Sequence, residues 1–196
     1  SLLALARGAG ATVHGETGVS RIRKGDNGTH ELWTLRGPIR ARDVIVATNG
    51  YTDQVSPWLK KRLVPVPAGL ITTAALPPEV MEPILAGGQA VVESRRMYNY
   101  FRRSPDGTRL LFGGYVTPDE FGPEAVTQML GAQMVEVFPS LAQVPVSHAW
   151  TGYLAYNRDS LPRLFERDGV RYAAGFCGSG IVWGRWLGMR AAQGVL

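Results

Sequence analysis

The amino-acid sequence predicts an α+β (mixed α/β) fold, in which a layered domain carries an inserted antiparallel-sheet domain. The apolar segment VIVA at 44–47, followed by a polar turn with glycine, is typical of a buried strand. Near the end of the chain, a strand-like segment leads through the glycine-rich GFCGSGIVWG into a helix-like tail. Between them lie strand-like pieces joined by tight-turn sequences, and this change of pattern indicates a second layer.

The domain boundaries follow from the same change of pattern. We expect residues 1–62 and 158–196 to form the layered domain, and residues 63–157 to form the inserted sheet. Prolines bracket a β-branched stretch at 64–75, which predicts the crossing from one layer into the other.

The N-terminal elements begin with a helix over 2–9. An alternating polar and apolar segment follows, and its inward-facing positions are Val13, Val19 and Ile22. The pair Asn27-Gly28 predicts a hairpin turn, with ELWTLRG as the return strand.

The inserted stretch opens with a short helix, PPEVMEPIL, because prolines favour the first helical turn. The strands QAVVES, YNYFRRS and TRLLFGGY follow, and the turn sequence PDG joins the last two. A longer helix is predicted to end at Pro139, with an apolar face of Val126, Leu130, Met134 and Val137. The chain then continues as a long strand and turn from VPVSHAW, a final strand GVRYAAGF and a helix over 179–196.

Composition excludes several classes of function. The net charge is +5, but lysines and arginines are scattered and no nucleic-acid motif accompanies them, so we expect no nucleic-acid partner. No apolar run reaches the roughly 20 residues of a membrane span. The single cysteine excludes an internal disulfide and a multi-cysteine metal site, so we expect no metal. A lone cysteine also agrees with a reducing cytoplasm, which is the predicted location.

The segment GFCGSGIVWG at 175–184 has three interpretations. A strand, a glycine turn and a helix start form an anion-binding arrangement, because helix N-terminal amides point at the ligand. The same pattern is also found in plain tight turns. Cys177 as a nucleophile needs a general base, for which His148 is the candidate, and we favour a small buried residue instead.

Four segments together resemble one protein family. ARDVIVATNGYTDQVSPWLKKRLVPVPAGLITTAAL, YNYFRRSPDGTRLLFGG, HAWTGYLAYNRDSLPRL and VRYAAGFCGSGIVWGRWLG occur in its order and spacing. The sequence is similar to FAD-dependent amine and amino-acid oxidoreductases, the D-amino-acid, glycine and sarcosine oxidases, and especially to the gamma-glutamylputrescine oxidoreductase subgroup. The resemblance implies an FAD-binding layered domain with an inserted substrate domain. It also implies oxidation of the C–N bond of an amine or amino acid to an imine, by hydride transfer to flavin.

One family segment has no counterpart here. Family members begin with a G-x-G-x-x-G loop for the FAD pyrophosphate, and no such loop lies near the N-terminus of this sequence. The chain therefore resembles the C-terminal part, and the N-terminal half of the same protein is its expected partner. This part alone is expected to be inactive. The alternative is a cofactor-free binding or scaffold module that retains the substrate-domain fold.

The resemblance also assigns roles to particular residues. Catalytic roles fall on Tyr98, Tyr100 and Arg109, and substrate contacts on Tyr153 and Tyr156, although the tyrosines could equally be ordinary sheet aromatics. Non-covalent FAD would contact Val19, Thr48, Asn49, Gly50, Gly178, Ser179, Gly180 and Ile181. Leu154 occupies the position of a family arginine that clamps the substrate carboxylate, which favours an amine substrate. Arg158 is expected to pair with Asp159 in an exposed turn.

Overall fold

A computed structural model describes residues 2–194, with the exception of the Glu120 side chain. Residues 1, 195 and 196, which belong to the predicted layered domain, lie outside the described residues. The chain divides into two compact units, one running to Leu63 and resuming at Asn157, and the other spanning Val64–Tyr156.

The first unit opens with helix α1 (Leu2–Gly8) and a three-stranded antiparallel meander. Its strands are β1 (Val19–Lys24), β2 (His30–Thr34) and β3 (Gly37–Ala41). The predicted hairpin turn is confirmed, because Asn27 and Gly28 adopt φ of +54° and +74° there. The inward position predicted for Val13 is wrong, since its side chain is 46% exposed and precedes the strand. Strand β3 was not predicted, because GPIRA combines glycine, proline and arginine.

The rest of the first unit is a small mixed sheet with two helices. Strands β10 (Arg163–Arg167) and β11 (Val170–Ala174) are antiparallel, and β11 pairs in parallel with β4 (Ile45–Val46). Val44 and Val46 are buried, but Ile45 is 43% exposed, so the predicted burial on both faces is wrong within this chain. Helix α5 (Gly180–Gln193) follows β11 as predicted, while the short α2 (Pro57–Lys60) was missed.

The second unit is built on a five-stranded antiparallel sheet, as the strand-like pieces predicted. Its strands are ordered β6 (Val91–Val92), β7 (Tyr100–Arg103), β8 (Leu110–Tyr115), β5 (Val64–Thr73) and β9 (Val146–Tyr156). Two helices belong to it, α3 (Pro78–Met81) and α4 (Pro123–Val137), and both confirm the sequence prediction.

Helix α4 covers one face of this sheet, which we call the helix face. Val126, Leu130 and Met134 are almost completely buried against a core that includes Ile71 and Phe112. Burial of each such side chain contributes roughly 1.5–3 kcal/mol, which fixes the helix on the sheet. Because side chains alternate along a strand, their neighbours point to the opposite side, which we call the tyrosine face.

Two findings bound the kinds of site that the structure offers. No helix within residues 2–194 combines the length and the apolar character that a bilayer crossing requires. Within the same residues, no group of three or more histidine, cysteine or acidic side chains could hold a metal ion.

Candidate functional site

Three phenol hydroxyls meet at one end of the second unit's sheet. The Tyr115 hydroxyl, at the end of β8, donates to the Tyr98 hydroxyl over 2.8 Å and lies 2.5 Å from the Tyr156 hydroxyl. The Tyr98 and Tyr115 rings meet edge to face, with centroids 5.1 Å apart. The predicted residues Tyr98 and Tyr156 thus lie in one cluster, with Tyr115 at its centre.

Tyr100 extends this cluster along the neighbouring strand. Its ring centroid lies 6.5 Å from that of Tyr98, and its ring lies across Gly113 on β8. A Cβ at Gly113 would stand 2.5 Å from the Tyr100 ring, so only glycine leaves room for it. Tyr98 and Tyr100, which are two residues apart in the sequence, therefore lie next to one another.

Two of the phenols have raised pKa values. Burial raises the pKa of Tyr115, and its hydrogen bonds to Tyr156 and Tyr98 raise it further. Burial, with a smaller contribution from Tyr98, also raises the pKa of Tyr100. Tyr115 can therefore donate and accept hydrogen bonds without carrying a negative charge.

A polar network on the helix face anchors the segment that carries Tyr98. Asn99 is 3% exposed, and its amide nitrogen donates to Gln133 Oε1 on α4 over 2.7 Å. Its amide oxygen accepts from Arg95 over 2.9 Å, and its backbone N–H donates to Glu93 over 3.0 Å. Asn99 thus fixes the backbone between Tyr98 and Tyr100 through contacts on the helix face of the sheet.

Two of the predicted site residues lie away from the cluster. Tyr153 and Tyr156 are three positions apart on β9, so they point to opposite faces, and Tyr153 stacks on Phe121 at 4.7 Å. Arg109 precedes β8, whose far end carries Tyr115, and it donates to the Thr73 carbonyl and Ser147 Oγ, each over 2.9 Å. The structure therefore does not group either residue with the tyrosines.

In the first unit, Asn49 joins the turns that follow the two parallel strands. Its side-chain oxygen accepts from the backbone N–H groups of Gly175 and Phe176, over 3.0 and 3.4 Å. Asn49 adopts φ of +44°, and a Thr48–Thr52 hydroxyl contact of 2.9 Å closes its turn, which includes Gly50. These contacts give Asn49 a structural role at the carboxyl ends of β4 and β11.

The glycine-rich turn leads directly into α5. Gly178 has φ of +84°, and Ser179 precedes the helix without a side-chain capping bond. The first turn of α5 has no acidic residue, so the positive end of the helix dipole is not compensated there. Ile181 is 97% exposed, and a Cβ at Gly180 would meet nothing closer than Phe176 Cβ at 3.6 Å.

This turn fits the approach of a planar cofactor such as a flavin. The first amides of an α-helix have no acceptor in a preceding helical turn. Here the N–H groups of Ser179 and Val182 donate to the carbonyls of Phe176 and Ser179, so the amides considered for a cofactor are those of Gly180 and Ile181. The Cys177 thiol, by contrast, donates to the Gly175 carbonyl over 3.1 Å and contacts the Asn157 side-chain oxygen at 3.6 Å. Neither partner is a base that would activate the thiol as a nucleophile. The prediction of a buried residue is wrong, because Cys177 is only partly buried.

The remaining predicted residues take simple positions. Val19 is the first residue of β1 and pairs with Thr34 across the meander. The ion pair expected between Arg158 and Asp159 is replaced by one between Asp159 and Arg163, four residues apart. The turn's geometry thus brings the arginine of β10, and not the adjacent one, to the carboxylate.

The fold defines a class of protein, an α+β type in which a unit with a mixed sheet is interrupted along the chain by a unit with an antiparallel sheet. The chain belongs to the FAD dependent oxidoreductase family, whose sequence model matches residues 1–193. It is 32% identical, over 188 residues, to "Probable oxidoreductase OrdL" of Rhizobium meliloti (strain 1021), covering 94% of this chain and 42% of that protein. It is 29% identical to gamma-glutamylputrescine oxidoreductase of Escherichia coli (strain K12), covering 82% of this chain and 38% of that protein.

Solved structures show the same fold. Glycine oxidase from Geobacillus kaustophilus superposes with a TM-score of 0.75 at 23% identity, covering 95% of this chain and 50% of that one. The chain thus spans about half the length, or less, of the relatives it matches. The predicted family and fold class are confirmed.

Sequence reasoning missed the centre of the tyrosine cluster and its anchor. Tyr115 ends the strand TRLLFGGY, and its position two residues after Gly113 puts it on the face of the Tyr100 ring. That parity was available as a signal once the strand was predicted. Asn99 gave no such signal, because its partner Gln133 is 34 residues away on α4.

Proposed function

We propose that the whole protein is an FAD-dependent oxidoreductase that oxidises the C–N bond of an amine to an imine. Membership of the family supports an FAD-dependent oxidation. The tyrosine cluster is the observation that supports a substrate site. Leu154 supports an amine over an α-amino acid. It pairs with Val66 and shares the alternation of Tyr156, so an apolar side chain stands where a carboxylate clamp is expected.

The proposed reaction removes a hydride, which carries two electrons, from the carbon of the substrate and a proton from its nitrogen. The nitrogen lone pair forms the new C=N bond as the adjacent C–H bond breaks, and water then hydrolyses the imine to a carbonyl compound and an amine. FAD, when bound, supplies the two-electron acceptor for that hydride. Because an ammonium has no free lone pair, the substrate must react as the neutral amine.

The residues of the second unit would bind and orient that amine. Tyr98 and Tyr156 offer hydroxyls, and Tyr100 offers a ring surface held against Gly113. The neighbouring apolar positions would limit access of water, which favours the uncharged form of an amine. In this proposal residues 63–157 form the substrate domain. The stacked Tyr153 and the tethered Arg109 are then supports of the sheet.

The first unit would hold part of the FAD, so residues 1–62 and 158–196 belong to the cofactor domain. The proposed contacts are backbone amides in the turn before α5 and backbone or turn atoms elsewhere, at Val19, Thr48, Asn49, Gly50, Gly178, Ser179, Gly180 and Ile181. The glycine at position 180 and the first turn of α5, which has no acidic residue, support this. The lone thiol of Cys177 favours a reducing compartment, and we propose the cytoplasm.

Purification of the whole protein tests the proposal. We expect a yellow protein whose flavin absorbance bleaches when an amine substrate is added without oxygen. The screen compares primary amines, diamines and their γ-glutamyl derivatives with glycine and sarcosine, and the amines are expected to react faster. A colourless protein that takes up no added FAD would instead support the scaffold alternative, and faster bleaching by glycine would contradict the amine preference.

A further inference from the structure

We infer that Tyr115 is a positioning residue that orders three phenols into a directed hydrogen-bond chain, Tyr156 to Tyr115 to Tyr98, which ends on a Tyr98 O–H available to the substrate. The inference rests on the proposed function, because it assigns the contact that the cluster makes with a substrate. It adds Tyr115 to the site and states which kind of atom the site recognises.

The direction of the chain follows from counting protons. A phenol hydroxyl has one proton to donate, and the Tyr115 hydroxyl donates its proton to Tyr98. The 2.5 Å contact between Tyr115 and Tyr156 therefore has Tyr156 as its donor. Tyr98 accepts from Tyr115, so its own proton is free to point away from Tyr115.

The backbone keeps this order in place. Tyr115 ends a strand that is hydrogen-bonded on both sides, and Tyr98 precedes the anchored Asn99. Tyr156 ends β9, where it pairs with Val64. Each phenol is thus carried by a fixed segment. Of the three hydroxyls, that of Tyr115 contacts both of the others. Removing it breaks both bonds at once.

A free O–H at the end of the chain binds substrate groups that accept a hydrogen bond. The lone pair of a neutral amine and a carboxylate oxygen can accept from Tyr98, whereas an ammonium offers only donors. Hydrogen bonds in a chain polarise one another, so the two bonds behind Tyr98 strengthen its donation. The cluster thus favours the amine in the protonation state that can be oxidised.

Two probes of opposite character test the direction in the holoenzyme, through the shift of flavin absorbance on binding. Acetate is an acceptor, and tert-butylammonium is a donor that lacks the α-hydrogen needed for oxidation. We expect acetate affinity to fall about tenfold in Tyr98→Phe, about fivefold in Tyr115→Phe and about twofold in Tyr156→Phe. Tert-butylammonium should show no such series. Tyr172→Phe, in the first unit's core, is the matched control and should change neither probe.

A spectroscopic readout separates this inference from the proposed function. Slowly exchanging tyrosine O–H protons are recorded by NMR in tyrosine-labelled whole protein. Tyr115→Phe should remove two hydrogen-bonded signals, while Tyr98→Phe and Tyr156→Phe should each leave one hydrogen-bonded pair. If Tyr115→Phe fails to fold, Tyr98→Phe and Tyr156→Phe still test the chain, because each should keep one hydrogen-bonded pair.

The two failures have different signatures. Loss of tert-butylammonium binding in Tyr98→Phe, with acetate unchanged, would overturn the direction of the chain. Equal effects of all three variants on both probes would overturn the positioning role of Tyr115. Intact hydroxyl signals in a protein that no amine reduces would instead count against the proposed oxidation.

Discussion

At the scale of single residues, the anchor below Tyr98 depends on one carboxylate. Burial raises the pKa of Glu93, but the Asn99 backbone N–H and the Arg95 guanidinium lower it more, so the net pKa lies below its ordinary value. A carboxyl with a lowered folded pKa stabilises the fold fully above its unfolded pKa, about 4.3. That contribution is lost as the pH falls through the folded pKa.

We therefore expect Glu93→Gln to destabilise the protein near pH 6 and to cost progressively less as the pH approaches 3.5. Urea unfolding across that range measures the difference from the wild type. Glu79→Gln is the matched control, because Glu79 is exposed on α3, and its effect should be small at every pH. A penalty for Glu93→Gln that stays constant with pH would show that shape, and not charge, is what the network requires.

Residue types were the easier part of the site to predict from sequence. Tyr98, Tyr100 and Tyr156 lie together, while Tyr153 lies on the opposite face of β9 and stacks on Phe121, as strand alternation alone would predict. Their roles in substrate binding stay predictions. Arg109 could not be placed, since its partners Thr73 and Ser147 are 36 and 38 residues away. Contacts of that sequence separation depend on strand order, which local patterns do not encode.

At the scale of elements, helix α4 and the interior strand β5 meet at a glycine. A Cβ at Gly69 would stand 2.9 Å from Val126 Cγ1 and 3.1 Å from Val116 Cγ1. Both are short, stiff side chains, so the helix would have to move. We expect Gly69→Ala to destabilise the protein by about 1–3 kcal/mol, the usual cost of overpacking a core.

Chemical denaturation measures this cost, and a second glycine provides the control. Gly131 lies on α4 with no neighbour within 4 Å of its Cβ position, so Gly131→Ala should stabilise the protein by about 0.5–1 kcal/mol. Gly69→Ala without loss of stability would mean that α4 packs more loosely than these distances indicate. The helix itself was predictable from its apolar period, but the glycine it crosses was not.

At the scale of the whole molecule, the chain spans 42% of a relative that it matches, and a cofactor contact is proposed for one of its turns. The turn before α5 has a glycine at position 180 and leads into a helix without an acidic residue in its first turn. Its local sequence predicted this much, because glycine spacing and a helix start are local features. Strand β3 and the parallel pairing of β4 with β11 were harder to predict, because GPIRA has little strand character and β11 lies more than 120 residues after β4.

The last prediction tests that turn in the full-length protein. Gly180→Val adds a three-carbon isopropyl group at a position whose Cβ would lie 3.6 Å from Phe176 Cβ, an ordinary contact, so the fold should be retained while a bound flavin would be displaced. We expect FAD affinity to fall at least about tenfold, equivalent to roughly 1.4 kcal/mol. Flavin fluorescence during dialysis measures retention, and circular dichroism checks the fold. Gly131→Val makes the same substitution in α4, away from the turn, and should leave FAD retention unchanged. Equal retention in both variants would show that the turn before α5 serves only to reverse the chain.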